Sequence, residues 1–282
     1  MIYLLLNIVF GSLFVLCIKW VQVRKKEDVI TIGMINYITG ALAILPEFMQ
    51  SHPTAVTAES MVTGGTMGAC YFVAFFFVVY AIKWVGVASS TVIGVLSILC
   101  PILVGIFVWQ ENPNRLQILG IGLALMSLTL IGSSTDSKRP AARRWFVPMI
   151  LIGFFVLAGG SRLAQEAFRH VCQPGERPVF LFTAFSLAAI PSFLVLLLRQ
   201  KRVAWPECLI GILLGTANIL QTHFILKALK QYEGYIVFPV VSAGGLIFTT
   251  LVATWFLGER LRFRTYVGIA LATLALLLLN WK

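Results

Sequence analysis

Two side chains of opposite charge, Arg162 and Glu166, stand four residues apart in an otherwise apolar stretch of the chain. At this spacing they share one face of a helix and can form an ion pair. A guanidinium binds a carboxylate or phosphate through paired hydrogen bonds, and a carboxylate holds an ammonium group or a proton. We therefore predict that both residues, with the flanking Ser161 and Gln165, bind substrate, and that Glu166 is a candidate for proton coupling.

A different interpretation of these residues stays open at this point. If the helix ends near Ala164, then Arg162 and Glu166 extend into the lipid headgroups together with Arg169 and His170. The two interpretations differ in the position of the helix end. Ionisable side chains within a membrane are costly and are therefore functional candidates by default.

The stretch 206–229 carries a second group of polar side chains. Asn218, Gln221 and Thr222 form one polar face of a helix, and His223 lies on a different stripe. We predict that Asn218 and Gln221 bind substrate. Because a histidine titrates near neutral pH, His223 is a candidate for coupling substrate movement to protons. The alternative for His223 is a hydrogen bond between helices.

Polar side chains in other apolar stretches complete the predicted substrate site, and these are Asn7, Ser12, Tyr71 and Tyr235. Asn36 and Tyr37 are further candidates, although an amide or hydroxyl at such a position also suits a bond between helices. Bending residues are predicted to form gates, and these are Pro101, Pro239, Gly244 and Gly245.

The composition shows which elements must position these residues. Of 282 residues, 59% are hydrophobic and 12% are charged, whereas soluble domains have about 45–50% apolar and about 25% charged residues. An all-α integral membrane protein is therefore predicted. Ten apolar runs are long enough to span a bilayer, at 2–21, 30–48, 61–82, 87–109, 115–133, 146–168, 179–198, 206–229, 234–256 and 264–281.

The two halves of the chain are similar to each other. A shift of 148 residues aligns Gly86–Ser134 with Gly234–Lys282 without a gap and places Glu111 on Glu259. A shift of 147 places the pair Gly64 and Gly68 on the pair Gly211 and Gly215, and a shift of 149 places Gly11-Ser12 on Gly160-Ser161. Since five helices are an odd number, the second half must enter the membrane in the opposite orientation. Ten transmembrane helices in two inverted five-helix repeats are predicted, an arrangement that secondary transporters use.

This repeat predicts the division of the chain and the role of its small residues. The first repeat is residues 1–134, a basic linker is 135–145, and the second repeat is 146–282. Glycine pairs four residues apart in helices 3 and 8, and the Gly-x-x-x-Ala pairs in helices 5 and 10, allow close helix packing. Glu111 and Glu259 fall at helix ends, and we predict that they bond backbone groups or the nearby Arg115 and Arg260.

With these motifs the chain resembles the drug/metabolite transporter (DMT) superfamily, specifically its ten-helix EamA-like members. Several motifs carry the resemblance: Gly11-Ser12, the Ala81-x-Lys83 end of helix 3 with a very short link into helix 4, Pro101, Glu111, and Gly258-Glu259-Arg260-Leu261. The resemblance implies a substrate cavity lined by helices 1–4 and 6–9, with helices 5 and 10 peripheral. The chain departs from the family pattern at Phe10, where tryptophan is common, and at Pro239, which replaces a proline at Thr249.

The charges bear on location and partners. The net charge is +11, and no basic stretch is interleaved with stacking aromatic residues, so nucleic acid is not an expected partner. Cations accumulate in cytoplasmic loops, and they are more numerous in the loops after odd-numbered helices. Both termini are thus predicted outside a bacterial inner (plasma) membrane, against the usual family orientation. The expected partners are a small-molecule substrate and the lipid bilayer, with the protein a monomer or homodimer.

A secondary transporter of a small polar or amphipathic metabolite or drug, proton-coupled or facilitative and working by alternating access, is the predicted function. The chain lacks the H-E-x-x-H, G-x-S-x-G and P-loop motifs of enzymes, and no cofactor or metal is predicted. A membrane-embedded enzyme acting on lipids and a non-transporting scaffold are the alternatives. The enzyme would need a nucleophile with its base or a metal cluster.

Overall fold

The computed structural model describes residues 1–24, 28–51, 56–132, 146–200, 202–257 and 263–279, and these are all helical or connecting, with no strand among them. They form ten α-helices and a 3₁₀ turn at Pro174–Glu176. The helices are α1 (Ile2–Arg24), α2 (Val29–Met49), α3 (Ala58–Leu96), α4 (Leu99–Phe107), α5 (Arg115–Gly132), α6 (Phe146–Val171), α7 (Arg177–Arg199), α8 (Trp205–Leu229), α9 (Gly234–Leu257) and α10 (Phe263–Leu279).

Five stretches within the described residues are long and apolar enough to cross a membrane: Val29–Met49, Ala58–Ala81, Pro148–Val171, Pro174–Arg199 and Trp205–Leu229. Shorter apolar helices are Ile2–Ile18, Arg115–Ser127, Gly234–Thr249 and Tyr266–Leu279. The hydrocarbon of a bilayer offers no hydrogen-bond partner to backbone N–H and C=O groups, and a helix satisfies these groups internally. The prediction of an all-α integral membrane protein is confirmed.

The chain divides into two compact units, each drawn from both halves of the sequence. The first unit contains residues 1–72 and 164–231, and the second contains residues 73–163 and 232–282. Helices α3 and α6 therefore each contribute to both units. The predicted sequence repeats 1–134 and 146–282 follow similarity rather than contact, so this division leaves them a prediction, and the linker 135–145 lies outside the described residues.

In the first unit, α2 and α7 pack side by side in opposite directions. Asp28, which caps the start of α2, forms an ion pair with Arg199 at the end of α7, at 2.6 Å between Oδ2 and Nη1. At the other end, Glu47 of α2 pairs with Arg177, the first residue of α7, at 2.9 Å between Oε1 and Nη2. An ion pair at each end is possible only if the two helices are antiparallel.

Glycine pairs bring α3 and α8 into backbone contact with this helix pair. A Cβ on Gly64 would lie 2.5 Å from the carbonyl oxygen of Phe180, and one on Gly68 would collide with the carbonyl of Ala184. On α8, a Cβ on Gly215 would lie 2.6 Å from the carbonyl oxygen of Asn36. Only glycine permits this approach, so the predicted close packing of helices 3 and 8 is confirmed.

The glycine pair of α8, Gly211 and Gly215, contacts α2 in the same way as the glycine pair of α3 contacts α7. Gly211 lies against Ile32 of α2, with a would-be Cβ 3.2 Å from its carbonyl oxygen. Shifting Ile32 and Asn36 by 148 residues gives Phe180 and Ala184, which are the residues that α3 contacts. The α3–α7 and α8–α2 contacts therefore have the same register.

Two networks of capping bonds lie at opposite ends of the first unit. At one end, the backbone amide of Asp28 donates to Glu207 Oε1 at 2.9 Å, and the amide of Ala204 donates to Glu207 Oε2 at 3.0 Å. At the other end, the Thr57 hydroxyl donates to Glu176 Oε2 at 2.5 Å, and the Thr57 amide donates to Ser60 Oγ at 3.3 Å. These bonds satisfy amides that the first turn of a helix leaves without partners.

In the second unit, α5 and α10 pack closely along their small residues. A Cβ on Gly120, near the start of α5, would lie 3.0 Å from Leu279 Cγ and 3.3 Å from the carbonyl oxygen of Ala275, at the end of α10. Ala124 and Ala272 are fully buried. The start of one helix meets the end of the other, so this pair is also antiparallel.

The boundary between helices 3 and 4 differs from the prediction. The sequence predicts that helix 3 ends and helix 4 begins near 83–86. This prediction is wrong, because α3 continues to Leu96 and α4 spans only Leu99–Phe107. The break occurs upstream of Pro101, which has no N–H to give and whose ring excludes the carbonyl four residues earlier, that of Ser97. That carbonyl accepts instead from the amide of Cys100 at 3.2 Å. Gly86 alone costs a helix only about 1 kcal/mol, too little to end it.

Helix α9 is continuous from Gly234 to Leu257 and contains Pro239, Gly244 and Gly245. Thr249 occupies the position equivalent to Pro101, and its hydroxyl donates to the carbonyl of Gly245 at 2.7 Å. Gly245 is in turn equivalent to Ser97 under the shift of 148. Such bonds to the preceding turn often bend helices. The gating role of these residues remains a prediction.

We expect Gly68→Ala to destabilise the protein by about 1–3 kcal/mol, the usual cost of overpacking. Gly65→Ala is the matched control, because a Cβ there would meet only Leu187 Cδ2 at 3.7 Å and Thr183 Cγ2 at 4.0 Å. Thermal unfolding of the purified protein in detergent measures both. Equal melting temperatures for the two variants would contradict the close contact of α3 with Ala184.

Candidate functional site

A chain of hydrogen bonds centred on Asn218 lies inside the first unit. The Asn218 amide donates to Asn36 Oδ1 on α2 at 3.1 Å, and it accepts at its own Oδ1 from Gln221 Nε2 at 3.0 Å. Asn36 and Asn218 are almost fully buried, at 1% and 4% exposed. Two amides placed this deeply require partners, because burial without a hydrogen bond costs several kcal/mol.

A second branch leads from the same residue to α3 and α6. Thr222 donates to the carbonyl oxygen of Asn218 at 2.9 Å, and its hydroxyl lies 3.5 Å from that of Tyr71. Gln165 Nε2 donates to the Tyr71 hydroxyl at 3.2 Å. The donors can all point the same way, from Gln165 through Tyr71 and Thr222 to the Asn218 carbonyl. Hydrogen bonds arranged in this way polarise and strengthen one another.

The Gln165 side chain ends this branch with an unused acceptor. Gln165 is 4% exposed, and its Oε1 has no hydrogen-bond partner among the described residues. The Nε2 of the same amide also lies 3.8 Å from the sulfur of Met67. A buried amide oxygen without a partner is a site where a ligand that donates a hydrogen bond would be stabilised.

Helix α1 closes the other side of the network. Asn7 Nδ2 donates to the carbonyl oxygen of Gln221 at 2.6 Å. One turn later, Gly11 faces the same glutamine, since a Cβ there would lie 2.7 Å from Gln221 Oε1. The Tyr37 hydroxyl donates to the carbonyl oxygen of Tyr71 at 2.8 Å. The network therefore joins five helices, α1, α2, α3, α6 and α8.

Local sequence explains why these groups face one another. Asn218, Gln221 and Thr222 are spaced at three and four residues, so α8 presents them on one face. Gly215, one turn before Asn218, brings α8 against the backbone of Asn36. Polar side chains between membrane helices bond to one another because lipid offers no partner.

Helix α6 contains the predicted charged residues. It continues to Val171, so the interpretation in which it ends near Ala164 is wrong, and Arg162 and Glu166 lie within it. Glu166 is fully buried and forms ion pairs with Arg169, at 2.8 Å from Nη1 to Oε1, and with His170, at 3.2 Å from Nε2 to Oε1. These two residues are those that the alternative assigned to the headgroups. A pair between Arg162 and Glu166 remains a prediction.

Several residues of the predicted substrate site lie in one hydrogen-bond network. Asn7, Gln165, Asn218, Gln221 and Tyr71 join the network of the first unit. Glu166 belongs to that unit too, while Ser161, Arg162 and Tyr235 belong to the second unit.

The remaining predicted residues have simpler surroundings. Ser161 donates to the carbonyl oxygen of Ala158 at 2.9 Å, and Ser12 and Tyr235 are buried. His223 meets the Phe224 ring edge to face, with centroids 5.5 Å apart. The proton-coupling role of His223 remains a prediction.

Glu111 lies in the second unit, where Gly234 donates its backbone amide to Oε1 at 3.4 Å. The predicted backbone bond of Glu111 is confirmed. Glu259 lies outside the described residues. Glycine at position 105 avoids a clash with this carboxylate, because a Cβ there would lie only 2.6 Å from Glu111 Oε2.

Sequence reasoning underestimated three residues and missed others. Asn36 and Tyr37 were further site candidates that also suited a bond between helices. Thr222 was placed on the polar face of Asn218 and Gln221 but not among the predicted substrate-binding residues. The bonds of Glu176 and Glu207 at the helix starts were not predicted. A usable signal existed, because a shift of 148 residues places Asp28 on Glu176.

The model of the EamA-like transporter family matches residues 1–133. A protein of Haemophilus influenzae (strain ATCC 51907 / DSM 11121 / KW20 / Rd), described as "Uncharacterized protein", is 25% identical over 290 residues, which cover 98% of this chain and 97% of that protein. A solved structure described as "Crystal structure of protein" has a TM-score of 0.75 at 15% identity, covering 99% of this chain and 95% of that one. At this identity the likeness shows the fold alone.

Apolar helices around a buried polar network define an integral membrane protein of the polytopic all-α class. Residues 1–133 carry the EamA-like signature of the drug/metabolite transporter superfamily. Residues 1–133 thus match the EamA-like transporter family, and the recognition based on the motifs is confirmed by this match.

We expect Asn36→Leu and Asn218→Leu each to destabilise the protein by about 1–3 kcal/mol, because each leaves a buried amide without its partner. The double variant should lose less than the sum of the two, since both ends of the bond are then removed. Thermal unfolding in detergent measures the cycle, with Asn112→Ala in an exposed loop as the control. Fully additive losses would show that the two amides do not interact.

Proposed function

We propose that the protein is a secondary transporter that moves a small polar or amphipathic metabolite or drug by alternating access. The EamA-like signature of residues 1–133 supports the transporter class. The proposal for the kind of substrate and for its mechanism of movement is based on the buried polar groups. Catalysis is not part of the proposal.

The observation that carries the proposal is the unused Oε1 of Gln165 at the end of the hydrogen-bond network. A substrate ammonium, hydroxyl or amide group can donate to it and so extend the chain through Tyr71 to Thr222. Such a ligand would be bound by groups already oriented by their neighbours, which lowers the cost of ordering. The network thus suits a substrate with at least one hydrogen-bond donor.

The charged residues of α6 supply a second requirement of transport. Glu166 is a fully buried carboxylate held by Arg169 and His170. Exchanging one of these partners for a substrate cation or for a proton would couple binding to a change in charge. Arg162, four residues earlier, is proposed to hold a substrate anion.

We further propose ten transmembrane helices in two inverted five-helix repeats. Under a shift of 148 residues α2 corresponds to α7 and α5 corresponds to α10, and both pairs are antiparallel in their own units. Equivalent helices that run in opposite directions are what inversion requires. The matching register of the α3–α7 and α8–α2 contacts supports the same arrangement.

The capping networks support inversion independently. Thr57 and Ser60 correspond to Ala204 and Glu207 under a shift of 147, and in both pairs the side chain of the later residue accepts from the amide of the earlier one. These pairs lie at opposite ends of the first unit, because one contacts the start of α7 and the other the start of α2.

A ligand screen followed by transport tests the function. Thermal shift of the purified protein against amino acids, amines, nucleosides and cationic drugs identifies a ligand, whose movement into proteoliposomes is then measured. We expect Gln165→Ala to raise its dissociation constant about tenfold, the loss of roughly one hydrogen bond. Absence of gradient-driven movement for every ligand that binds would contradict transport.

A matched pair of threonines on α8 provides the control for the site. Thr222→Val removes the link between Tyr71 and Asn218, whereas Thr216 is exposed and donates to the carbonyl of Ile212 on its own helix at 2.9 Å. We expect Thr222→Val to impair transport and Thr216→Val to preserve it. If transport is equally affected in both, the network is not the substrate site.

Cysteine labelling tests the inverted topology. Val56 and Val203 correspond under a shift of 147 and are similarly exposed, at 47% and 44%. In a variant with the five native cysteines replaced, an impermeant maleimide should label Val56→Cys and Val203→Cys from opposite faces of the membrane. With both termini outside, as we propose, Val56→Cys is labelled from outside. Labelling of both positions from one face would exclude inversion.

A further inference from the structure

An open pocket in the first unit is rich in positive charge. It lies where α6 and α8 end and α7 begins. Four of its nine lining residues are cationic and none is acidic, and the cations are Arg169, Arg177, Lys227 and Lys230. The proposed transport function involves one of these residues, Arg169, through its ion pair with Glu166, and leaves the other three cations without a role.

The pocket combines these cations with an apolar floor. Phe168 and Leu226 line it and are buried, at 6% and 5% exposed. Lys230, by contrast, is exposed. Charge at the rim over apolar side chains suits an amphiphile whose anionic group meets the cations while its hydrocarbon contacts the floor.

Two of the four cations are already balanced by carboxylates. Arg169 pairs with Glu166 at 2.8 Å and Arg177 pairs with Glu47 at 2.9 Å. Arg177 nevertheless retains donor capacity, because among the described residues its buried Nε has no acceptor.

The two lysines carry charge that no carboxylate balances among the described residues. Lys227 Nζ lies 5.5 Å from the centroid of the Tyr3 ring and 6.0 Å from that of Phe224. The rings hold the ammonium by cation–π attraction, which leaves its charge uncompensated. The pocket is therefore positive by about two charges, those of Lys227 and Lys230.

The pocket's position brings it to the surface of the bilayer. Spanning helices end where the headgroups lie, and basic pockets between such helices bind anionic headgroups. The start of α7 adds the positive end of a helix dipole beside Arg177. Charge, apolar floor and depth all match one chemical class.

We propose that this pocket binds a phosphate group, supplied by the headgroup of an anionic phospholipid. Lys227 and Lys230 attract the phosphate beside the start of α7, and the acyl chain lies along Phe168 and Leu226. A free phosphate ion offers the same anionic oxygens without the chain, so the two sources are separable by experiment.

Native mass spectrometry of the detergent-purified protein tests the site with three probes: phosphatidylglycerol, phosphatidylcholine and inorganic phosphate. We expect phosphatidylglycerol to bind more tightly than phosphatidylcholine. Lys227→Gln with Lys230→Gln should weaken it about 30-fold, the effect of two cations at an anionic surface. Replacing both lysines by arginine should preserve binding.

The control neutralises two exposed cations elsewhere, through Arg115→Gln with Arg202→Gln, and binding should be unchanged. Displacement of the lipid by millimolar phosphate, dependent on the two lysines, would support the site with a soluble phosphate as its ligand. Binding of phosphatidylglycerol and phosphate that is insensitive to loss of both lysines overturns the proposal. An equal loss in the control variant also overturns it.

Discussion

The approach of α8 to the backbone of α2 is the contact on which the candidate site depends. Gly215 lies against the carbonyl of Asn36, and only at that separation can Asn218, one turn further on, reach the Asn36 side chain. A larger side chain would push the helices apart and break the amide pair. The absence of a Cβ at one position therefore determines whether two buried polar groups are satisfied, which in a membrane decides several kcal/mol.

Fixing one amide pair orients the rest of the network. Once Asn218 is held by Asn36, its carbonyl and Oδ1 face Thr222 and Gln221, and α1, α3 and α6 are reached from there. Glu166 follows a different principle, since its charge is balanced by neighbours on its own helix. The first unit thus combines a rigid neutral network between helices with an ion pair that needs no second helix.

Sequence alone was sufficient where the signal is local or repeated. Apolar runs and glycine spacing predicted the helices and the close packing of α3 and α8. It failed at Ser97, because proline acts on the carbonyl four residues before itself, whereas Gly86 at the predicted link costs too little to end a helix. The partners of Glu166 could not be predicted from the sequence either. Three basic side chains lie within reach along α6, and packing determines which of them are close.

The equivalent positions 101 and 249 act on the carbonyl four residues earlier by different chemistry. At Pro101 the Ser97 carbonyl loses its usual donor for as long as the covalent structure exists. At Thr249 the Gly245 carbonyl is shared with a hydroxyl, and one rotation of the side chain returns it to the backbone. The break before α4 is therefore permanent, whereas α9 stays continuous and carries a hydroxyl contact that a side-chain rotation or a single substitution can remove.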